Sequence, residues 1–410
     1  MKMRVKRDQV VILTAGVVTL LLLGLLYVWS IFVVPLEYEF GWNRAQTSLT
    51  YTISMICFTL GMMAAGWFGK KRVLRKANFL GICLVGIGFA VVSQTSSLMM
   101  FYLFYGVFAG FGIGLCYNAW LSTVLSHFPG RTGIASGCLL LGFGVGGIAL
   151  GPVVYAMIYS QFGWRNTFLA IGAFIFLEGL LAMRFLRAPA VEPSVIPAEP
   201  SVSSPLMPNL TTSATVREPS FWLFGVWKMI LFCVGVAIIG QTAPIMLDMG
   251  ATPGMAAAAV ALISAGSSIS RVVTGMFYDR FGYRVTMLLL SLIFMACCLI
   301  YWFGYPTAMV VSVNTAMFLM GVASGGTVIL TATFISDIYG PENFSANFGI
   351  SNILNVPAIL ILSSAIAAMR ANTGVYTPFF TIMLILGVIS CILMIAIDRA
   401  VKRMTRRGLT

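Results

Sequence analysis

The sequence predicts an all-α membrane protein, with twelve transmembrane helices in two pseudo-symmetric six-helix bundles. Three observations carry that prediction. The 410 residues are 59% hydrophobic and only 9% charged, against about 25% charged in a soluble domain, and the mean hydropathy is +0.96. Twelve windows are each apolar enough to cross a bilayer, which takes about 20 residues of helix. A Pro- and Ser-rich stretch at residues 188–220 divides those windows six and six.

The first window, 10–34, follows Lys2, Arg4, Lys6 and Arg7. It is too long for the core of a signal peptide and lacks a small-x-small cleavage site, so it reads as a retained first span. Windows 46–68, 78–96, 99–124, 132–158 and 166–186 complete the first bundle, residues 1–187. Residues 188–220 are almost free of large apolar side chains and read as a flexible linker. Windows 221–244, 253–277, 285–304, 307–333, 345–368 and 376–398 form the second bundle, residues 221–410.

Placing both termini and the linker on the cytoplasmic side puts most Lys and Arg there, among them Lys70, Lys71, Arg72, Arg280, Arg284, Arg399 and Lys402. Only Arg44, Arg165 and Arg370 then fall outside. This is the loop-charge asymmetry of an integral membrane protein, and it accounts for the net charge of +13 without a nucleic-acid partner. Short loops suit a bacterial inner membrane. The eight cysteines all fall in apolar stretches, and His127 has no Cys or His neighbour, so no metal site is expected. No cofactor is expected either.

Two cations remain inside the windows. Lys228 is a turn or two from the start of span 7, and snorkelling to the surface is the preferred reading for it. Arg271 has no such escape. It lies roughly 12 Å along the helix axis from the charged turn at Asp279. A lone guanidinium at that depth costs about 2.5–3.5 kcal/mol on insertion scales, so an anion in a water-lined cavity is the expected compensation. A planar guanidinium can grip a carboxylate through two charge-assisted hydrogen bonds. The competing reading is a structural pair with an intramembrane acid, for which Glu178 is the main candidate.

The halves echo each other at an offset of about 210 residues. Pro35 matches Pro244, and Gly66 before Lys70-Lys71-Arg72 matches Gly275 before Asp279-Arg280. Phe128-Pro129-Gly130 matches Tyr339-Gly340-Pro341.

Gly275-x-x-x-Asp279-Arg280-x-Gly282-x-Arg284 resembles the loop signature of major facilitator superfamily transporters, and Gly66-x-x-x-Lys70-Lys71-Arg72 is a degenerate copy without the aspartate. The resemblance implies the major facilitator fold, alternating access, and a gating role for Gly275, Asp279, Arg280 and Arg284. Within that superfamily the chain resembles the oxalate/formate antiporter and monocarboxylate transporter group along nearly its whole length. Tyr27-x-Trp29 with Pro35, Phe40-Gly41-Trp42-x-Arg44, and Asp337-x-Tyr339-Gly340 with Asn347-Phe348-Gly349 carry the likeness. It implies that Arg271 occupies the place of the substrate-binding arginine of span 8. Two departures matter. Asn355 stands where oxalate carriers have a second basic residue, which argues for a substrate with one carboxylate charge, or for a dianion held less tightly. Ser267 stands where proton-coupled animal carriers have an aspartate, and Leu20–Val34 contains no lysine. Coupling could then run through antiport of two anions, through uptake of the protonated acid, or through another group.

Around Arg271 the expected substrate-binding residues are Tyr117 and Asn118 on span 4, Tyr27 and Trp29 on span 1, Asn355 and Asn352 on span 11, Gln241 on span 7 and Phe143 on span 5. The polar tips of Tyr117 and Asn118 could complete a carboxylate's hydrogen-bond shell, or they could bond between helices. Tyr27 and Trp29 could wall a cavity or anchor at the interface. Phe143 could line the apolar side or simply pack. No nucleophile–base pair is visible, so the chain is not expected to be an enzyme. The expected function is secondary transport of a small monocarboxylate of the lactate, pyruvate, acetate or formate class, coupled to protons, by a monomer in the bilayer. Oxalate/formate-type exchange is the alternative. A drug or cation exporter would need a central acid, and a membrane sensor would need a signalling domain.

Overall fold

A computed structural model describes residues 7–70, 73–159, 162–186 and 209–406. Every element in them is helical, as a bilayer requires of a chain that must satisfy its backbone polar groups internally. Eleven stretches are long and apolar enough to span. One of them, Ala258–Gly304, is 47 residues long, and its helix turns at Gly282 (φ 73°, ψ 179°). Only glycine adopts that conformation without strain, so this stretch carries two of the twelve predicted spans.

The helices run in chain order. Span 1 is α1 (Arg7–Leu23) and α2 (Trp29–Phe40), joined by a tight 3-10 segment at Gly24–Val28. Then come α3 (Arg44–Lys70) and α4 (Leu74–Gln94). Span 4 opens with a short α5 (Leu98–Met100), widens into a π-helical stretch at Phe101–Ala109 and continues as α6 (Gly110–His127). Next are α7 (Thr132–Tyr159) and α8 (Gly163–Ala182). A four-residue turn, α9 (Thr212–Thr215), precedes α10 (Pro219–Asp248), α11 (Pro253–Gly304) and α12 (Val310–Tyr339). The last are α13 (Phe344–Ser351), α14 (Asn355–Thr373) and α15 (Thr377–Arg406).

Span 11 was expected to be one helix over 345–368. It is α13 and α14, with a turn at residues 352–354 between them. Pro357 lacks the N–H that would bond back to residue 353, which explains an interruption at that level. Most of the predicted linker lies outside the described residues. Its last part is folded: Leu210 N–H donates to the Tyr339 carbonyl at 3.0 Å, and Thr212 and Thr215 are buried.

The described residues form two compact units. The first draws on Met1–Pro129, Cys138–Pro197 and Pro341–Ile353, the second on Gly130–Gly137, Ala198–Gly340 and Leu354–Thr410. Each therefore includes a short piece from beyond the expected bundle boundary: the start of α7 belongs to the second unit and α13 to the first. The first unit is centred on aromatic rings. Phe32 stacks on Phe168 at 4.0 Å, and Trp29 lies 4.4 Å from Tyr105 and 6.3 Å from Phe101. The second unit is built on the pairing of α11 with α12, with α10 packed against both, α15 against α11, and α14 against α10.

Candidate functional site

In the second unit, Arg271 lies eleven residues before the Gly282 turn, about 16 Å along the axis, and is half-buried. The start of α7 runs against this stretch of α11. A Cβ placed on Gly137 would lie 2.6 Å from the Arg271 carbonyl oxygen. One turn away the approach is closer still, with a Cβ on Gly133 or Gly275 falling 2.2 Å from the other's carbonyl oxygen. Neither position admits a side chain.

That closeness brings Asp279 to the N-terminus of α7. Its two carboxylate oxygens accept from the backbone N–H groups of Gly133 and Ile134, both at 2.8 Å. Asp337 accepts from the Thr132 hydroxyl at 3.2 Å. Helix N-termini carry partial positive charge and unsatisfied donors, so two carboxylates suit this end. The predicted gating residues divide here. Gly275 and Asp279 hold α7. Arg284 instead pairs with Asp398 of α15, which also takes Lys402 at 2.7 Å and the Tyr283 hydroxyl at 3.1 Å. Arg280 is exposed, its guanidinium 5.3 Å from the Phe281 ring centre.

Other predicted residues of this unit are dispersed. Gln241 accepts from the Tyr376 hydroxyl at 3.2 Å. Asn355 is 8% exposed at the start of α14, and its carbonyl receives the Cys233 thiol at 3.8 Å. Lys228 does not snorkel. It is 2% exposed and among the largest fully buried side chains. Its position faces the wedge between α12 and α14: Gly225, one turn before, meets Leu354, and Phe224 stacks on Phe334.

In the first unit, Tyr117 and Phe143 do come together. The Tyr117 ring lies 5.0 Å from Phe143 and 5.3 Å from Phe58, and Phe58 stacks on Phe143 at 5.8 Å. Phe58 carried no sequence signal beyond its span. Asn118 is fully buried and spends its amide on the Met62 carbonyl at 2.6 Å and the Ser345 carbonyl at 2.9 Å. These are interhelical bonds made by the amide nitrogen; the amide oxygen is buried and has no hydrogen-bond partner among the described residues. Trp29 is equally occupied, its indole N–H donating to the Thr47 carbonyl at 3.1 Å within the aromatic centre. Asn352 donates to the Phe348 carbonyl at 2.8 Å. Tyr27 sits on the 3-10 segment of span 1, and its side chain lies outside the described residues. Glu178, the acid weighed as a partner for Arg271, bonds instead with the Thr19 hydroxyl of α1 at 2.8 Å.

A half-buried arginine deep in a span, inside a two-unit helical membrane protein with a carboxylate-capped helix start beside it, suits a solute carrier. The Major Facilitator Superfamily profile matches residues 12–362, and the chain belongs to that superfamily, whose members are transporters rather than enzymes. It is 24% identical over 356 residues to the uncharacterized MFS-type transporter YhjX of Escherichia coli, covering 84% of each chain. It is 24% identical to monocarboxylate transporter 12 of Xenopus laevis, covering 92% of this chain and 85% of that one. With the oxalate:formate antiporter of Oxalobacter formigenes it shares 22% identity over 87% and 83% of the two chains. The crystal structure of the major facilitator transporter FucP in its outward conformation superimposes with a TM-score of 0.70 at 14% identity, over 96% of this chain and 99% of that one. That likeness concerns the fold.

Proposed function

We propose that this transporter carries a small monocarboxylate anion across a bacterial inner membrane, with a proton, by alternating access. The observation that carries the reading is Arg271, a half-buried guanidinium at mid-span on α11. The names of two relatives, a monocarboxylate transporter and an oxalate:formate antiporter, point to carboxylates as the anion it receives. A guanidinium can grip a carboxylate through two charge-assisted hydrogen bonds, and a carboxylate bound there lowers the cost of taking the charge out of water. Within the first unit the Phe58, Tyr117 and Phe143 rings form an apolar cluster, and the expected bundles, residues 1–187 and 221–410, are the parts that alternating access moves.

The test is uptake of labelled lactate into proteoliposomes, with pyruvate, acetate, formate and oxalate as competitors. Arg271→Gln removes a charge-assisted contact worth about 1.5–3 kcal/mol, so uptake at low substrate falls by about 10- to 100-fold. Normal uptake by that variant removes the site assignment.

One observation favours exchange of oxalate-type dianions as a second reading. Asn355 replaces a basic residue, but Lys228 keeps a second basic side chain buried in the same unit. Lys228→Gln then lowers competition by oxalate more than competition by lactate. An equal effect on both leaves the monocarboxylate reading.

A further inference from the structure

The carboxyl of Glu178 lies on α8, which packs against α4 and α1. One oxygen, Oε1, is 2.8 Å from the Thr19 hydroxyl oxygen of α1. That hydroxyl is also 3.0 Å from the Ala15 carbonyl. The other carboxyl oxygen, Oε2, is buried and has no hydrogen-bond partner among the described residues.

The hydrogen count decides what this arrangement accommodates. A threonine hydroxyl has one hydrogen, and here it faces two acceptors. If Glu178 is ionised, only one of the Ala15 carbonyl and the carboxylate can receive that hydrogen, and a charged oxygen stays buried without a donor, which is costly. If Glu178 carries a proton on Oε1, the sequence closes: Glu178 O–H donates to Thr19 Oγ1, and Thr19 O–H donates to the Ala15 carbonyl. No full charge then remains at Oε2.

Among the described residues, the charged side chains of the helices around Glu178 lie toward the helix ends. Cys116 of α6 and Cys83 of α4 face this region. On α1 the charged residues are Arg7 and Asp8, about three turns before Thr19. On α4 they are Arg75 and Lys76, about two turns before Cys83. On α8 itself Arg165 stands 13 residues before Glu178 and pairs with Glu39, and Arg184 follows six residues after Glu178, beyond the helix end.

We propose that Glu178 is the proton-binding site of the transport cycle, and that Thr19 relays its protonation state to span 1. Proton loss turns the Thr19 hydrogen from Ala15 to Glu178. This exchanges an intrahelical bond of α1 for a tie to α8. Thr19 stands one turn before the end of α1, ahead of the 3-10 segment that carries Tyr27. The bond exchange therefore acts on the part of span 1 that leads into the irregular segment. The proposal rests on the proton-coupled reading above and supplies the acid that Ser267 does not.

The experiment uses the full-length protein in proteoliposomes with labelled lactate, and infrared spectroscopy of the same protein without substrate. Glu178→Gln mimics the protonated acid and can still donate to Thr19. Its equal-pH exchange of lactate stays within about twofold of the parent protein. A one-unit pH gradient supports about tenfold accumulation with one proton per anion; in the variant that accumulation falls to unity. The protonated-carboxyl band that disappears as pH rises is absent from its spectrum. A variant that accumulates lactate like the parent, or that keeps the same titrating band, overturns the proposal. Thr19→Val, which keeps the acid and removes its partner, shifts the pH midpoint of that band; an unmoved midpoint overturns the relay. The infrared arm needs no substrate, so it judges Glu178 even if the parent protein transports no lactate.

Discussion

Two places in this molecule repeat each other in sequence and differ in one atom group. Gly275 on α11 lies against Gly133 at the start of α7, and four residues on, Asp279 caps that helix with two 2.8 Å hydrogen bonds. Gly66 on α3 lies against Ala346 at the start of α13, where a Cβ would fall 2.5 Å from the Ala346 Cα. There the residue four places on is Lys70, and α13 begins at Phe344 after an Asn343 N-cap that makes no side-chain capping bond. The backbone approach is common to both copies and the carboxylate belongs to one. Steric fit and electrostatic hold are thus separable: glycine sets how near the helices come, and the acid sets how firmly a helix end is kept.

The largest effect should come from filling the shared approach. Gly133→Val or Gly275→Val places atoms where a backbone oxygen already sits. Overpacking costs typically about 1–3 kcal/mol and more where backbone must move. We expect transport to be lost and the melting temperature of the purified protein to fall. Gly66→Val should do the same in the other copy, and a variant there with normal activity would separate the two places in geometry as well as in charge. Next in size is Asp279→Ala, which removes two charge-assisted bonds worth about 1.5–3 kcal/mol each. Uptake should fall by more than about tenfold, and Asp279→Asn should recover part of it, since the amide oxygen still accepts. Smaller again is Lys70→Asp, which gives the first copy the missing acid. It should raise the melting temperature through a contribution of about 1 kcal/mol and slow transport; no change in either would mean that α13 cannot be capped from that position. The smallest is Arg284→Ala. The pair with Asp398 is half exposed on the arginine side, and such pairs contribute about 0–1 kcal/mol, so uptake should stay within about threefold.

Hydropathy made most of the fold legible, because each span is a continuous apolar run and the bilayer fixes its length. It missed the interruptions. The 3-10 segment at 24–28, the π-helical stretch at 101–109 and the turn at 352–354 keep the same apolar composition as the helices around them. They differ in hydrogen-bond register, which composition does not record. The site was legible where one helix carries its own signal. Arg271 announces itself as a cation that a span cannot hide, and Asp279 through its spacing from Gly275. It was not legible where meaning depends on a second helix. Asn118 is a clamp because Ser345, 227 residues away, offers its carbonyl. Glu178 turns toward Thr19, 159 residues away, rather than toward an arginine. Lys228 failed the snorkelling expectation because its place on the helical wheel, not its distance from the end, decides where its ammonium goes.

The turn at Gly282 has a consequence for how inherited change in this chain would present itself. Its φ of 73° and ψ of 179° are closed to every other residue at a cost of about 1–3 kcal/mol. A substitution there touches no substrate and alters no charge. It would be met during synthesis, as a hairpin that fails to form between two spans and is handed to quality control. Its signature in a cell would be scarcity of carrier, with the molecules that do reach the membrane retaining the affinity and selectivity of the parent.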